Sequence, residues 1–449
     1  MRQDEEPARV TAGDAGEAPG AASEVGAVGF GMSDGPAVDG PAVDVPAVTV
    51  TVVGIGDDGW AGLTGEAQAV LRDAAVIAGA GRHLALLPGL PDLPGRRVPL
   101  PSPLLPRLDE LVAASPGLCV LASGDPMLHG IGATLARRLG PGRIRVLPAV
   151  SSAALACARL GWAEHEVEVI SLVSRPAETV LPAVQPGARV LVLCRDGGTP
   201  PALAALLCGR GWAATRLSVL EHLGGPAERI RGPHRADSPE PGPFADLCVV
   251  ALECEPDPGT PVLPRVPGLP DDAYETDGQL TRRELRALAV AALAPGPGQL
   301  LWDVGAGSGS VGIEWMRAAP RCRAIAVEPR QDRADRIRVN ATSLGVPDIE
   351  VECGSAPDAL AELPQPDAVF VGGGVTAAGV LDACWKALPP GGRLAAHAVT
   401  VESEAVLQDW QRRAGGLLVR LAVSYQAPLG RFTTWRPALS VTQWQVTKP

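Results

Sequence analysis

Two carboxylates bracket a run of glycines late in the 449-residue chain. Asp303 precedes Gly305, Gly307 and Gly309 in the segment DVGAGSG, and Glu328 stands at the end of the next apolar stretch. Glycine permits tight turns at positive φ and lets backbone amides approach a bound molecule closely. The helix expected next offers unpaired amides beside that turn. Asp303 is placed to meet a cationic amine or a ribose, and Glu328 to accept hydrogen bonds from ribose hydroxyls. The combination points to a nucleotide-like ligand. A nicotinamide or flavin site shares much of this geometry, although Ser310 and Gly312 follow where the G-x-G-x-x-G fingerprint differs. A plain tight turn is the simpler alternative.

A second group lies in the first half. Gly54 and Gly56 follow an apolar run, Gly124, Asp125 and Pro126 follow another, and Ser151 and Ser152 precede a helical segment. All three stand at expected strand ends, where an open sheet gathers a ligand. Asp125 has the alternative of capping its own turn before Pro126.

Both groups need a scaffold, and the pattern along the chain supplies an α/β one. Residues 48–54 turn abruptly β-branched and read as a buried strand. Strands are expected at 75–78, 118–122, 167–171, 190–194 and 247–252, with helical segments at 153–160 and 200–207 between them. A Pro-rich stretch around 254–264 marks a domain boundary. Beyond it, Thr281 and Glu284 form a capping-box pattern at the start of a helix. Strands at 300–304, 324–328, 350–353, 368–371 and 393–399, with a helix at 311–318, then make an open, mostly parallel sheet. The expected organisation is an acidic disordered tail (1–47), a first α/β domain (48–255), a linker (256–267) and a second α/β domain (268–449).

Composition narrows the function classes. The chain is 46% hydrophobic but only 3% aromatic, so its core must be built from Ala, Leu and Val. A net charge of -11 argues against a nucleic-acid partner. The nine cysteines are scattered without a C-x-x-C pair; Cys119, Cys157, Cys194 and Cys353 stand in apolar surroundings. Neutral thiols in a reducing compartment are expected, with no metal site. The N-terminus is acidic and lacks an apolar leader, and no run reaches membrane-spanning length, so a cytoplasmic location is expected.

The C-terminal loop resembles the first motif of the class I, Rossmann-like methyltransferases. That resemblance implies S-adenosylmethionine as the ligand, with the loop around its methionine part and Glu328 on its ribose. It also implies Gly354, Ser355 and Ala356 near the adenine, and Asp367 and Gly372 around the end of the fourth strand. Thr281 joins the implied cofactor set. The three N-terminal loops resemble the tetrapyrrole methylase family (class III methyltransferases). This implies a second S-adenosylmethionine, held in a cleft between two α/β subdomains by Gly54, Gly56, Gly124, Asp125, Pro126, Ser151 and Ser152. The family's opening loop normally reads G-x-G-P-G, whereas Asp57 and Asp58 follow Gly56 here. Many relatives carry Ser-x-His-Gly-Arg where this chain has SLVSR at 171–175, so no histidine is available there.

Both halves in this order resemble the fused, decarboxylating C5,15-methyltransferases of corrin biosynthesis, over residues 48–449. The implied reaction methylates precorrin-6Y at C5 and C15 and removes carbon dioxide from the C12 acetate, giving precorrin-8. By the same resemblance the C-terminal type of domain handles decarboxylation and C15, and the N-terminal type C5. Such a substrate bears many carboxylates, so Arg82, Arg175, Arg195, Arg282 and Arg283 are candidate partners, with solvated surface arginines the alternative. His397 stands where many relatives place asparagine; it is either a donor near the ligand edge or a satisfied core histidine. A homodimer or homotetramer is implied, without nucleic-acid, metal or membrane partners. The competing readings are a methyltransferase for a cobalt-containing corrin, an NAD-dependent oxidoreductase, and a non-catalytic nucleotide-binding protein.

Overall fold

The computed structural model describes residues 49–89, 92–101 and 104–449. The expected acidic tail lies outside them. Three sheets and a hairpin follow one another along the chain.

The first sheet holds β1 (Val50–Ile55), β2 (Val76–Gly79), β3 (Arg96–Pro99), β4 (Leu118–Ser123) and β5 (Ile144–Leu147), all parallel, in the order β3-β2-β4-β1-β5. The central strands β1, β2 and β4 are mostly apolar because both faces are covered, while the edge strands β3 and β5 carry exposed arginines. Val53, Ile55, Ile77, Cys119 and Leu121 pack on one face, and Val50, Val52, Val76, Ala78 and Val120 on the other. Register places Gly54 beside Ala122 and Val53 beside Leu147. The loops after β1, β4 and β5 therefore leave the same edge together.

The second sheet holds β6 (Val167–Ser171), β7 (Arg189–Leu193), β8 (Arg216–Glu221), β9 (Arg229–Arg235) and β10 (Cys248–Glu253), in the order β6-β7-β10-β8-β9. Only β6 and β7 run parallel. The Pro-rich segment that follows is stitched to both halves. Its Leu263 carbonyl accepts from Gln185 Nε2 at 3.0 Å and from Arg317 Nη2 at 3.0 Å.

The third sheet holds β11 (Leu300–Val304), β12 (Arg323–Val327), β13 (Glu350–Glu352), β14 (Ala368–Val371) and β15 (Arg393–Ala398) as parallel strands. After β16 (Leu417–Leu421), β17 (Ser424–Leu429) and β18 (Phe432–Pro437) comes β19 (Val441–Thr447). The order is β13-β12-β11-β14-β15-β19-β16, with β19 and β16 antiparallel at one edge, while β17 and β18 pair as a separate hairpin. The sequence reading ended this sheet at β15, so these last four strands are additions. Buried side chains alternate along β11: Leu300, Trp302 and Val304 join the core with Trp444, and Leu301 joins the opposite core with Trp315. The parallel order reverses direction between β11 and β14, which makes a switch point where α/β sheets bind ligands.

One local expectation fails. The helix Arg283–Leu293 has Arg282 at its N-cap with no side-chain cap, so the Thr281–Glu284 box does not form. Asp271, twelve residues earlier, instead accepts from the Arg283 amide at 3.0 Å. A carboxylate brought by tertiary folding has taken the role that local capping would have filled.

Candidate functional site: two strand-end clusters

In the C-terminal half, Gly305, Gly307 and Gly309 adopt φ of 70°, 60° and 75°, the left-handed region that disfavours other residues. A Cβ on Gly305 would come within 2.8 Å of the Gly373 backbone, so the two glycine turns after β11 and β14 pack directly together. The next helix, Ser310–Ala318, begins at Gly309, which has no capping side chain. Asp303 supplies one from below: its Oδ2 accepts from the Gly312 amide at 2.8 Å. The carboxyl is buried, and that desolvation, with the Glu328 charge nearby, pushes it up to about 7. Asp303 thus braces the loop from inside. Glu328 is also buried; its Oε2 accepts from the Gly307 amide at 2.9 Å and its Oε1 from the Arg330 amide at 3.1 Å.

Gly372 reaches the same edge, its amide bonded to the Val304 carbonyl at 2.9 Å. Gly354, Ser355 and Ala356 follow β13, where the Ser355 carbonyl accepts from the Ala359 amide. Asp367 does not belong there. It precedes the first residue of β14 and its Oδ2 accepts from the Leu300 amide at 2.8 Å, at the amino ends of the parallel strands. The length of β14 separates it from the glycine loops. Thr281 contributes its carbonyl to the Arg286 guanidinium.

Several residues of this cluster went unread in sequence. Asn340, buried on the helix Gln331–Ser343, donates to the Ser308 carbonyl at 3.0 Å and the Glu275 carbonyl at 2.9 Å, and accepts from the Glu275 amide. Glu314, on the helix Ser310–Ala318, is buried. It accepts from the Gly268 and Leu269 amides, from Tyr274 Oη at 3.0 Å and from Arg286 Nε at 2.6 Å. A carboxylate inside the apolar run VGIEWM was the signal available for it.

In the N-terminal half, a cavity of about 390 Å³ opens between the first two sheets, lined among others by Gly56, Ser151, Leu155, Ser171, Leu220 and Val249. The loops from the first sheet close tightly at its base. A Cβ on Gly54 would overlap the Gly124 carbonyl oxygen and come within 2.5 Å of the Ala149 nitrogen. Gly124 itself has φ of 50°. Asp125 lines the cavity while its Oδ1 accepts from the Met127 amide at 2.8 Å, so it also caps its own turn. Ser151 caps the helix Ser152–Leu160 through the Ala154 amide, and both serines face the cavity. Pro126 is buried behind the wall, close against Gly130 and Gly132.

Of the proposed substrate-binding side chains, Arg82 alone lines this cavity. Its guanidinium donates to Ser123 Oγ; burial lowers its pKa, and the Asp57 charge works against that. The adjacent His83, bonded to the same hydroxyl at 3.0 Å, is pushed down to about 4, chiefly by burial and then by Arg82. The remaining candidates do not line the cavity. Arg175 pairs with Asp348, a partner 173 residues away that spacing could not reveal. Arg195 donates to the Arg175 carbonyl at 3.1 Å, Arg282 pairs with Asp271, and the Arg283 amide bonds Asp271. His397 is a core residue: its Nε2 meets Gln443 Oε1 at 2.8 Å and Phe370 stands edge-on at 5.0 Å. Burial lowers its pKa. All nine cysteines are free; Cys353, expected in apolar surroundings, is exposed.

Comparison with known proteins assigns each half. The family described as Tetrapyrrole (Corrin/Porphyrin) Methylases matches residues 49–236, and the Precorrin methyltransferase domain matches residues 272–448. The Precorrin-6Y C(5,15)-methyltransferase [decarboxylating] of a Sinorhizobium species is 49% identical over 89% of this chain and 96% of that protein. Its namesake from Mycobacterium tuberculosis is 48% identical over 88% of this chain and 99% of that protein. Among solved structures, the C-terminal domain of the Rhodobacter capsulatus precorrin-6Y C5,15-methyltransferase is 45% identical. It covers 41% of this chain and 99% of that chain, at a TM-score of 0.39. With two domain models in tandem and near-full-length identity close to one half, the chain belongs to the decarboxylating precorrin-6Y C5,15-methyltransferase family.

Proposed function

We propose that this chain methylates precorrin-6Y at C5 and C15 with S-adenosylmethionine and decarboxylates the C12 acetate, giving precorrin-8. The observation that carries this reading is the presence of two unlike strand-end clusters in one chain, each within a matched methyltransferase domain. Both fit the methyl donor: each presents a glycine loop whose close backbone approach a Cβ would block. In our reading Gly54, Gly56, Gly124, Asp125, Ser151 and Ser152 hold one molecule. Gly305, Gly307, Gly309 and Glu328, with Gly354, Ser355, Ala356 and Gly372, hold the other. When bound, S-adenosylmethionine supplies an activated methyl group to an electron-rich ring carbon. The protein's part is then mainly approach, orientation and exclusion of water.

Arg82 on the cavity wall is the side chain we assign to a substrate carboxylate, because a desolvated guanidinium gains most from an anionic partner. The N-terminal domain is assigned the C5 step and the C-terminal domain C15 and decarboxylation. Among the described residues no helix is long and apolar enough to cross a membrane. We infer a cytoplasmic homo-oligomer. Incubation with precorrin-6Y and labelled S-adenosylmethionine, followed by mass analysis, tests the assignment. Two added methyls and one lost carboxyl are expected. A protein that binds NADH and ignores S-adenosylhomocysteine would refute it.

A further inference from the structure

Asp57 occupies the place in the opening loop where relatives carry proline, and it has a specific partner. Its Oδ2 meets His222 Nδ1 at 3.0 Å, across 165 residues of chain. Asp57 follows β1 of the first sheet and His222 follows β8 of the second, so the pair joins the two sheets that enclose the cavity. The pair stands beside the cavity, behind its lining residues. Gly56 and Leu223, the chain neighbours of the two residues, both line the wall, and the Asp57 charge acts on Arg82, another wall residue.

The surrounding backbone is shaped around this contact. His222 is held at φ of 52°, a left-handed conformation that non-glycine residues rarely adopt and that concentrates at functional sites. Gly225, in the same turn, leaves no room for a Cβ, which would overlap the Asp57 carboxylate. The ring is 35% exposed and its carboxylate partner 19%. Among the described residues Nε2 makes no hydrogen bond, while Nδ1 is engaged. A carboxylate on Nδ1 holds the proton there and leaves Nε2 as the basic nitrogen.

We propose that His222, oriented by Asp57, accepts the proton released when the ring is methylated in the N-terminal cavity. This rests on the methyl-transfer reading of that cavity. In that step the methyl–sulfur bond breaks and a carbon–carbon bond forms from a ring electron pair. The sulfonium's positive charge therefore passes to the macrocycle. Loss of one proton from the methylated ring to Nε2 restores the ring's neutrality and leaves the charge on the imidazolium, against Asp57. Other charged groups stand around this pair. The Asp57 charge acts on Arg82, Asp125 lines the same cavity, Asp58 is adjacent in the chain, and Asp246 precedes Leu247, whose carbonyl accepts from the His222 amide. Glu228 accepts from the Gly224 amide in the same turn and is neutralised by Arg159.

His222→Gln and Asp57→Asn, made in the full chain, test the role. Single-turnover methylation of precorrin-6Y should slow about 100-fold in His222→Gln, within the usual range for a lost general base. The product pool then shifts towards singly methylated ring. Affinity for S-adenosylhomocysteine, measured by calorimetry, should stay within about threefold. A variant with native rate and weakened S-adenosylhomocysteine binding would overturn the proposal and leave the pair as a brace between the sheets. Failure of S-adenosylhomocysteine to bind this half at all would instead sink the methyl-transfer reading. A readout independent of turnover is the nitrogen-15 spectrum of histidine in the unloaded protein. His222 should carry its proton on Nδ1 in the native chain and lose that preference in Asp57→Asn. Protonation at Nε2 in the native chain would refute the assignment even if His222→Gln does not fold.

Discussion

Arg286 Nε donates to Glu314 Oε1 at 2.6 Å, and neither side chain is more than 1% exposed. The guanidinium also reaches the Thr281 and Leu269 carbonyls and stacks over the Tyr274 ring at 4.7 Å. One ion pair thereby ties the segment 268–274 to the helix that starts at the glycine loop. Removing one partner leaves an uncompensated buried charge, so Arg286→Met should destabilise the chain by about 3–5 kcal/mol. Urea unfolding measures this, and a change below about 1 kcal/mol would show that the pair is not the fastening described.

Asp303 makes stability depend on pH. Its folded carboxyl titrates at about 7 because it is buried, well above its unfolded value. The folded chain therefore keeps a proton that the unfolded chain gives up. The stabilisation is full below the unfolded value and is lost as pH rises through about 7. Relative to Asp303→Asn, the native protein should lose stability between about pH 4 and 7, the window between the unfolded and folded values of this group. Denaturant midpoints for both proteins across that range decide it; parallel curves would rule out a buried proton at Asp303.

Glu328 accepts from the Gly307 amide, so its removal frees the loop even before a ligand contact is lost. A hydrogen bond to a charged group contributes about 1.5–3 kcal/mol. Glu328→Ala should weaken one class of S-adenosylhomocysteine sites roughly ten- to a hundredfold and leave the other unchanged. A two-site calorimetric titration distinguishes this from a uniform loss.

Gly54→Ala tests the other cluster. The new Cβ would overlap the Gly124 carbonyl, forcing the first and second loops apart. Displacement of about 1 Å at a reacting centre commonly slows chemistry about 100-fold. Methylation at C5 should fall by that order while carbon dioxide release continues. Equal loss of both would mean that the two halves do not work separately.

Arg175→Ala should change stability by less than about 1 kcal/mol, since its partner Asp348 and Arg175 itself are both exposed. Turnover should also be unaffected. A raised KM for precorrin-6Y would return Arg175 to the substrate-binding set.

Local sequence determined a great deal of this protein. Apolar runs such as 118–122 and 300–304 had to be buried strands, because parallel sheets covered on both faces admit little else. Glycine triplets with positive φ could stand only at turns, which put Gly305, Gly307 and Gly309 at a strand end. Tertiary structure decided what the polar side chains do. Asp303 reads identically whether it faces a ligand or caps Gly312, and the fold shows it buried with its Oδ2 on the Gly312 amide. Asp367 lies only four residues before Val371 in sequence, yet a strand carries its residues to opposite edges of the sheet. The partners of Arg175, His222 and His397 are distant in the chain, and only the folded chain brings Asp348, Asp57 and Gln443 to them. Periodicity reports which face of an element is buried, whereas an ion pair or a hydrogen bond forms wherever folding delivers the complementary atom. The sequence therefore located the two glycine-lined clusters, and the fold chose which charged residues belong to them.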